Sequence, residues 1–192
     1  MQLTLPTVLT LGRLVLVPIL VLLFYLPFEW AGPAAAVVFA LGGFTDWLDG
    51  YLARRLNQSS SFGAFLDPVA DKVMVAVVLV MLVQANPYLW MALPAMVIIG
   101  REIVISALRE WMAEIGQRAQ VAVSSLGKIK TVAQIAALLL MLYDDPIGAL
   151  PTFLVGVGLL YLAAVLTLYS MVVYLRAGWI AANRAEEQAS SP

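Results

Sequence analysis

Four aspartates in two pairs are the residues of this chain best suited to chemistry. Asp46 and Asp49 are spaced i,i+3, and Asp67 and Asp71 are spaced i,i+4. On helices, each spacing puts two carboxylates on one face with Cβ atoms about 5–6 Å apart. Charges so close, beside a low-dielectric bilayer, repel strongly unless something positive sits among them. The chain contains neither His nor Cys, which excludes imidazole and thiolate ligands, disulfides, and nucleophiles of either type. Oxygen donors alone favour Mg²⁺ or Mn²⁺. If the two helices pack side by side, four carboxylates can hold two ions about 3.5–4 Å apart, an arrangement used for phosphoryl displacement. Gly50 and Gly63 flank the two pairs and suit points where a ligand or a neighbouring backbone comes close.

The elements that position these residues follow from composition. Of 192 residues, 62% are hydrophobic and 12% charged, against roughly 45–50% and about 25% in soluble domains. An all-α integral membrane protein is expected. Eleven basic against twelve acidic residues leave a charge of -1, with no surplus to hold nucleic acid. Charge-free runs cover Leu14–Phe28, Trp30–Thr45, Val73–Gly100, Thr131–Tyr143 and Pro146–Leu175. A span needs about 20 residues, so Val73–Gly100 is too long for one and too short for two. The break falls at Gln84-Ala85-Asn86-Pro87. The helix before it must then carry Asp67 and Asp71, and the helix after it must run through Arg101 towards Arg109. The reading is six transmembrane helices, near 12–28, 32–56, 63–84, 88–113, 127–143 and 150–176, after a short N-terminal interfacial segment. Residues 1–184 form one membrane catalytic domain, and 185–192 a disordered polar tail.

The loops 28–31, 84–88 and 143–150 contain no Lys or Arg, and all eleven basic residues fall at or near the opposite helix ends. By the positive-inside rule both termini and the aspartate pairs lie on the cytoplasmic side of an inner (cytoplasmic) membrane. A cleavable signal peptide ending near Ala34-Ala35-Ala36 would leave five spans and spoil this alternation. Gly42-Gly43 and Gly156-Val-Gly158 read as helix-packing surfaces. Trp30, Tyr88, Trp90, Trp111 and Trp179 read as an interfacial belt.

The segment Asp46-x-x-Asp49-Gly50-x-x-Ala53-Arg54, eight residues, then Gly63-x-x-x-Asp67-x-x-x-Asp71 resembles the signature of the CDP-alcohol phosphotransferases at all eight defining positions. The likeness runs from about residue 3 to residue 176 and takes in Gly100-Arg101-Glu102, Ser106, Arg109-Glu110 and Ser125-Leu-Gly127-Lys128-Ile-Lys130-Thr131. One departure is Pro6-Thr7, where relatives commonly carry Pro-Asn: Thr7 has a hydroxyl but no amide for a nucleotide contact.

The resemblance implies the family's fold and a transfer of the phosphatidyl group of CDP-diacylglycerol to sn-glycerol 3-phosphate, releasing CMP and giving phosphatidylglycerophosphate. It also implies two Mg²⁺ or Mn²⁺ ions held by Asp46, Asp49 and Asp67 with Asp71 near them, and Asp71 as general base towards the acceptor hydroxyl. It places Asp46, Gly50, Arg54 and Gly63 around the CDP moiety, and implies a homodimer among membrane lipid. An aspartate is a weak base for an alcohol, so placement and stabilisation of developing charge must supply most of the rate.

A dianionic acceptor needs cations outside the carboxylate cluster. Arg101, Arg109, Arg118, Lys128 and Lys130 are the candidates. Arg101 and Arg109, at i,i+8, are expected roughly on one face. Lys128 and Lys130 cannot both face one ligand on a regular helix. Glu102 and Glu110 are placed to orient the arginines, although i,i+1 neighbours do not normally pair. A sibling transferase with another acceptor, such as cardiolipin synthase, stays open because the signature reports only the CDP-alcohol half. A cation channel lined by the aspartates is the distant alternative, disfavoured because they cluster at one face and no inverted repeat is present.

Overall fold

The computed structural model describes residues 5–56, 61–115 and 125–190. Within them the chain forms six helices and no named strand: α1 (Leu5–Phe24), α2 (Ala31–Leu56), α3 (Ser61–Ala85), α4 (Leu89–Glu114), α5 (Ser125–Tyr143) and α6 (Thr152–Ser190). Three stretches are long and apolar enough to cross a membrane, Thr7–Phe24, Leu89–Glu114 and Thr152–Ile180, and Ala31–Asp46 and Ile129–Tyr143 are shorter apolar ones. The shortfall in α2 and α5 is the expected consequence of admitting charged residues to the helix ends.

The bundle turns inward a seam of medium and small side chains, among them Leu20, Ala35, Val78, Leu82, Ala137 and Leu160, all nearly inaccessible. It turns outward Leu22, Val80, Val132, Leu154 and Val165. An apolar exterior around an apolar interior is the pattern of a helix bundle solvated by lipid rather than water. α1 packs chiefly on α2 and α3, and α6 packs on α5 and α4. Small residues permit the closest approaches: a Cβ on Gly32 of α2 would lie 3.1 Å from the Leu142 carbonyl oxygen of α5, and one on Gly156 of α6 would lie 2.9 Å from that of Ala137. Only one glycine of each suspected packing pair is used, Gly42 and Gly156. Gly43 and Gly158 have open space beside them.

Two helices differ from the sequence expectation: α1 at both ends, since it also stops at Phe24 and not near residue 28, and α6 at its last turns. α1 begins at Leu5, so most of the presumed interfacial segment is the first turns of a helix. Pro6 is tolerated there because a first-turn N–H has no intrahelical partner in any case. The second difference is at the other end, where α6 runs to Ser190 through most of the segment expected to be disordered. Its last residues, Ala181-Ala-Asn-Arg-Ala-Glu-Glu-Gln-Ala, are mostly strong helix formers extending a helix already nucleated.

The loops carrying Glu29, Asn86 and Asp144-Asp145 join helices at one end of the bundle. Stacked ring pairs flank two of them, Phe28 with Trp30 and Tyr88 with Trp90. The aspartate-bearing ends of α2 and α3 lie at the other end, with the Thr7–Arg13 part of α1 and the Arg101–Ser106 part of α4.

Candidate active site

The two aspartate pairs converge as their helical spacing requires, and a residue of α1 completes them. Arg13 is 1% exposed. Its Nη1 donates to Asp46 Oδ1 at 3.0 Å and to Asp71 Oδ1, while Nη2 donates to Asp49 Oδ2 at 2.7 Å. One turn earlier on the same face, the Thr10 hydroxyl hydrogen-bonds Asp67 and lies 3.4 Å from Asp49 Oδ2. Asp49 is buried, whereas the Asp46 and Asp71 side chains are 45% and 46% exposed. The cluster thus has a sealed floor and an open rim.

One guanidinium against four carboxylates leaves a formal charge of -3, a strong attraction for further cations. The donor set is all oxygen and suits a hard divalent ion in kind. Among the described residues no group of three or more acidic side chains is arranged to hold a metal ion, and the guanidinium bonds three of the four carboxylates.

Beside the cluster, a cavity of about 650 Å³ opens between α3, α4 and α5, lined by Asp71, Lys72, Glu102, Ser106, Lys130 and Gln134 among mostly apolar neighbours. Glu102 organises its far wall. Arg101 Nη1 donates to Glu102 Oε1 at 2.7 Å, and Lys130 Nζ lies 3.5 Å from the same oxygen. The i,i+1 pairing of Arg101 with Glu102, unusual on a helix, uses the same Glu102 oxygen that faces Lys130 of α5. Arg101 also places its guanidinium 5.7 Å from the centre of the Tyr174 ring on α6, a cation–π contact.

Arg101 and Arg109 do not share a face. Arg101 is buried and Arg109 exposed, because eight residues at 3.6 per turn leave them about 80° apart. Neither lines the cavity. Both act electrostatically on Lys130, so the three form one positive region. Gly63 is buried near the start of α3. Arg118 lies outside the described residues, as do the side chains of Arg54 and Lys128 and the surroundings of Gly50.

Sequence reasoning missed Arg13, Thr10 and the pair Lys72–Ser106, in which the Lys72 ammonium donates to the Ser106 hydroxyl. Arg13 was readable in principle. It is the only charged residue among the first 28, and an isolated charge in an apolar helix points to function.

An all-helical bundle with an aspartate cluster at one end, and beside it a cavity lined by Lys72 and Lys130 with Asp71 and Glu102, is the architecture of a multi-pass membrane protein with a polar site at one end. The chain belongs to the CDP-alcohol phosphatidyltransferase family, which it matches over residues 3–181. It is similar to the CDP-diacylglycerol–glycerol-3-phosphate 3-phosphatidyltransferase of Salmonella choleraesuis (strain SC-B67), at 54% identity over 92% of this chain and 96% of that protein. Proteins of the same name from Sodalis glossinidius (strain morsitans) and Shigella flexneri serotype 5b (strain 8401) are 55% and 54% identical, again over 92% of this chain and 96% of each.

Proposed function

We propose that this chain is a CDP-diacylglycerol–glycerol-3-phosphate 3-phosphatidyltransferase, making phosphatidylglycerophosphate and CMP in phospholipid biosynthesis. The observation that carries the reading is the match to relatives of that name along nearly their whole length. The convergence of Asp46, Asp49, Asp67 and Asp71 beside a cavity that presents Lys72 and Lys130 supports it.

In this reading the lipid-linked pyrophosphate lies at the open rim of the aspartate cluster, with its acyl chains in the bilayer and the cytidine near Asp46, Gly50, Arg54 and Gly63. The glycerol phosphate enters the cavity between α3, α4 and α5, its phosphate drawn by the positive region of Arg101, Arg109 and Lys130, with Arg118 and Lys128 as further candidates. Its free primary hydroxyl then meets Asp71, which lines the same cavity. Asp71 takes the hydroxyl proton as that oxygen bonds to the β-phosphorus. The bond from this phosphorus to the bridging oxygen breaks, and CMP leaves with the electron pair. Asp46, Asp49 and Asp67, with Asp71 beside them, would hold Mg²⁺ or Mn²⁺, which supplies neutralisation of the pyrophosphate charge. Arg13 would have to yield part of its hold on the carboxylates. The charge pattern of the loops supports a cytoplasmic site and cytoplasmic termini, and a homodimer with one site per subunit is the proposed assembly.

The test is CMP release by the purified protein with CDP-diacylglycerol and Mg²⁺ or Mn²⁺. The expected result is release that depends on glycerol 3-phosphate and not on phosphatidylglycerol, serine or inositol phosphate. Release with another of these acceptors would move the chain to a sibling activity and overturn the reading.

A further inference from the structure

Lys72 is the one cation of the cavity wall whose charge the described residues leave unbalanced. Lys130 faces Glu102, and Arg13 at the cluster beyond faces three aspartates. Lys72 follows Asp71 directly on α3, yet it turns away from the aspartates and crosses to α4, where its ammonium donates to Ser106 Oγ. Ser106 in turn donates its own proton to the Glu102 carbonyl oxygen at 2.6 Å. The serine hydroxyl therefore presents a lone pair to Lys72 and fixes the ammonium at the α3–α4 side of the cavity. Two further N–H donors of Lys72 stay uncommitted, and among the described residues no carboxylate pairs with it. A half-buried ammonium between mostly apolar walls, held by a neutral hydroxyl, is a poor way to add stability and a good way to receive an anion.

We propose that Lys72, held in place by Ser106, binds a phosphate oxygen of the acceptor, opposite Lys130 and next to the base Asp71. This deepens the reading above and rests on it. The ligand chemistry is a phosphate oxyanion, which the acceptor's phosphomonoester or the lipid-linked pyrophosphate could each supply. The direction of Lys72, away from the aspartate cluster and into the cavity shared with Lys130, favours the acceptor.

Steady-state kinetics on the full chain separate the two sources. Lys72→Met should raise KM for glycerol 3-phosphate at least tenfold at saturating CDP-diacylglycerol and leave KM for CDP-diacylglycerol within twofold. Lys72→Arg should restore most of the loss, and Ser106→Ala should give a smaller rise in the same KM. An unchanged KM for glycerol 3-phosphate, or a rise confined to CDP-diacylglycerol, would overturn the proposal.

Acylation of the unaltered protein requires no variant to fold. The rate at which an acetylating reagent modifies Lys72, followed by mass spectrometry, should fall severalfold with glycerol 3-phosphate and with inorganic phosphate, while the rate at Lys72 with sulfate-free, phosphate-free buffer stays high. No protection by either anion would overturn the site. Protection by inorganic phosphate in a protein that releases CMP only with a different acceptor would uphold the anion site while the acceptor assignment falls, so the two failures are distinguishable.

Discussion

Arg13 Nη2 lies 2.7 Å from Asp49 Oδ2, with the two side chains 1% and 2% exposed. Three of the four aspartates hang from Arg13, because its other terminal nitrogen reaches Asp46 and Asp71. Removing one partner of a buried pair leaves an uncompensated charge and costs about 3–5 kcal/mol. Arg13→Ala should therefore lower the melting temperature markedly in the presence of a chelator. If divalent ions can replace the lost positive charge, Mg²⁺ or Mn²⁺ should recover a larger share of stability in the variant than in the parent. Melting in detergent with and without EDTA measures this, and an equal deficit in both conditions would mean that Arg13 and the ions do not compete for one place.

Asp71 divides its role between that cluster and the cavity. Asn at this position keeps the size and still offers a carbonyl oxygen to Arg13, so the fold should persist. The variant can no longer take a proton from an alcohol, and a positioned general base contributes about 10²–10⁴-fold. Asp71→Asn should lose at least that much of kcat while its melting temperature stays within a few degrees of the parent. Retained turnover would place the base elsewhere.

The aspartates were readable from the sequence because each pair lies within one helix, where spacing alone fixes the face. Four of the six helices were readable to within about two residues, since Gly, Pro and charge punctuate them: α2, α3, α4 and α5. α1 was not, because the charge-free run begins only at Leu14, whereas Arg13 is an inward-facing charge in the middle of the helix. The contacts Arg13–Asp49 and Lys72–Ser106 join residues 36 and 34 apart in sequence, and only the packing of α1 on α2 and α3, and of α3 on α4, creates them. The failed expectation that Arg101 and Arg109 share a face is of another kind: a spacing of eight is two turns plus a remainder, and the remainder decides which side chain is buried.

Gly156 and Gly158 offer a paired test of packing on one helix. A methyl group on Gly156 would stand 2.5 Å from Met141 Cγ and 2.9 Å from the Ala137 carbonyl oxygen, and the second of these is backbone and cannot swing aside. α6 would have to shift away from α5, at a cost of about 1–3 kcal/mol for overpacking. Gly156→Ala should lower the melting temperature by several degrees. Gly158→Ala, with nothing within 4 Å of the added carbon, should match or slightly exceed the parent because alanine is the better helix former.

Arg109 and Arg101 belong to one positive region but are held differently, and their substitutions should separate accordingly. Arg101 is buried, hydrogen-bonded to Glu102 and set against Tyr174, so Arg101→Ala strips a partner from Glu102 and should reduce stability and activity together. Arg109 is exposed and, among the described residues, pairs with no carboxylate. Its loss leaves no buried group stranded. Arg109→Ala should therefore melt like the parent and raise KM for glycerol 3-phosphate by roughly tenfold, equivalent to about 1.4 kcal/mol, with affinity for the CDP-linked lipid unchanged. An equal loss of nucleotide affinity would move Arg109 from the acceptor to the CDP side of the site.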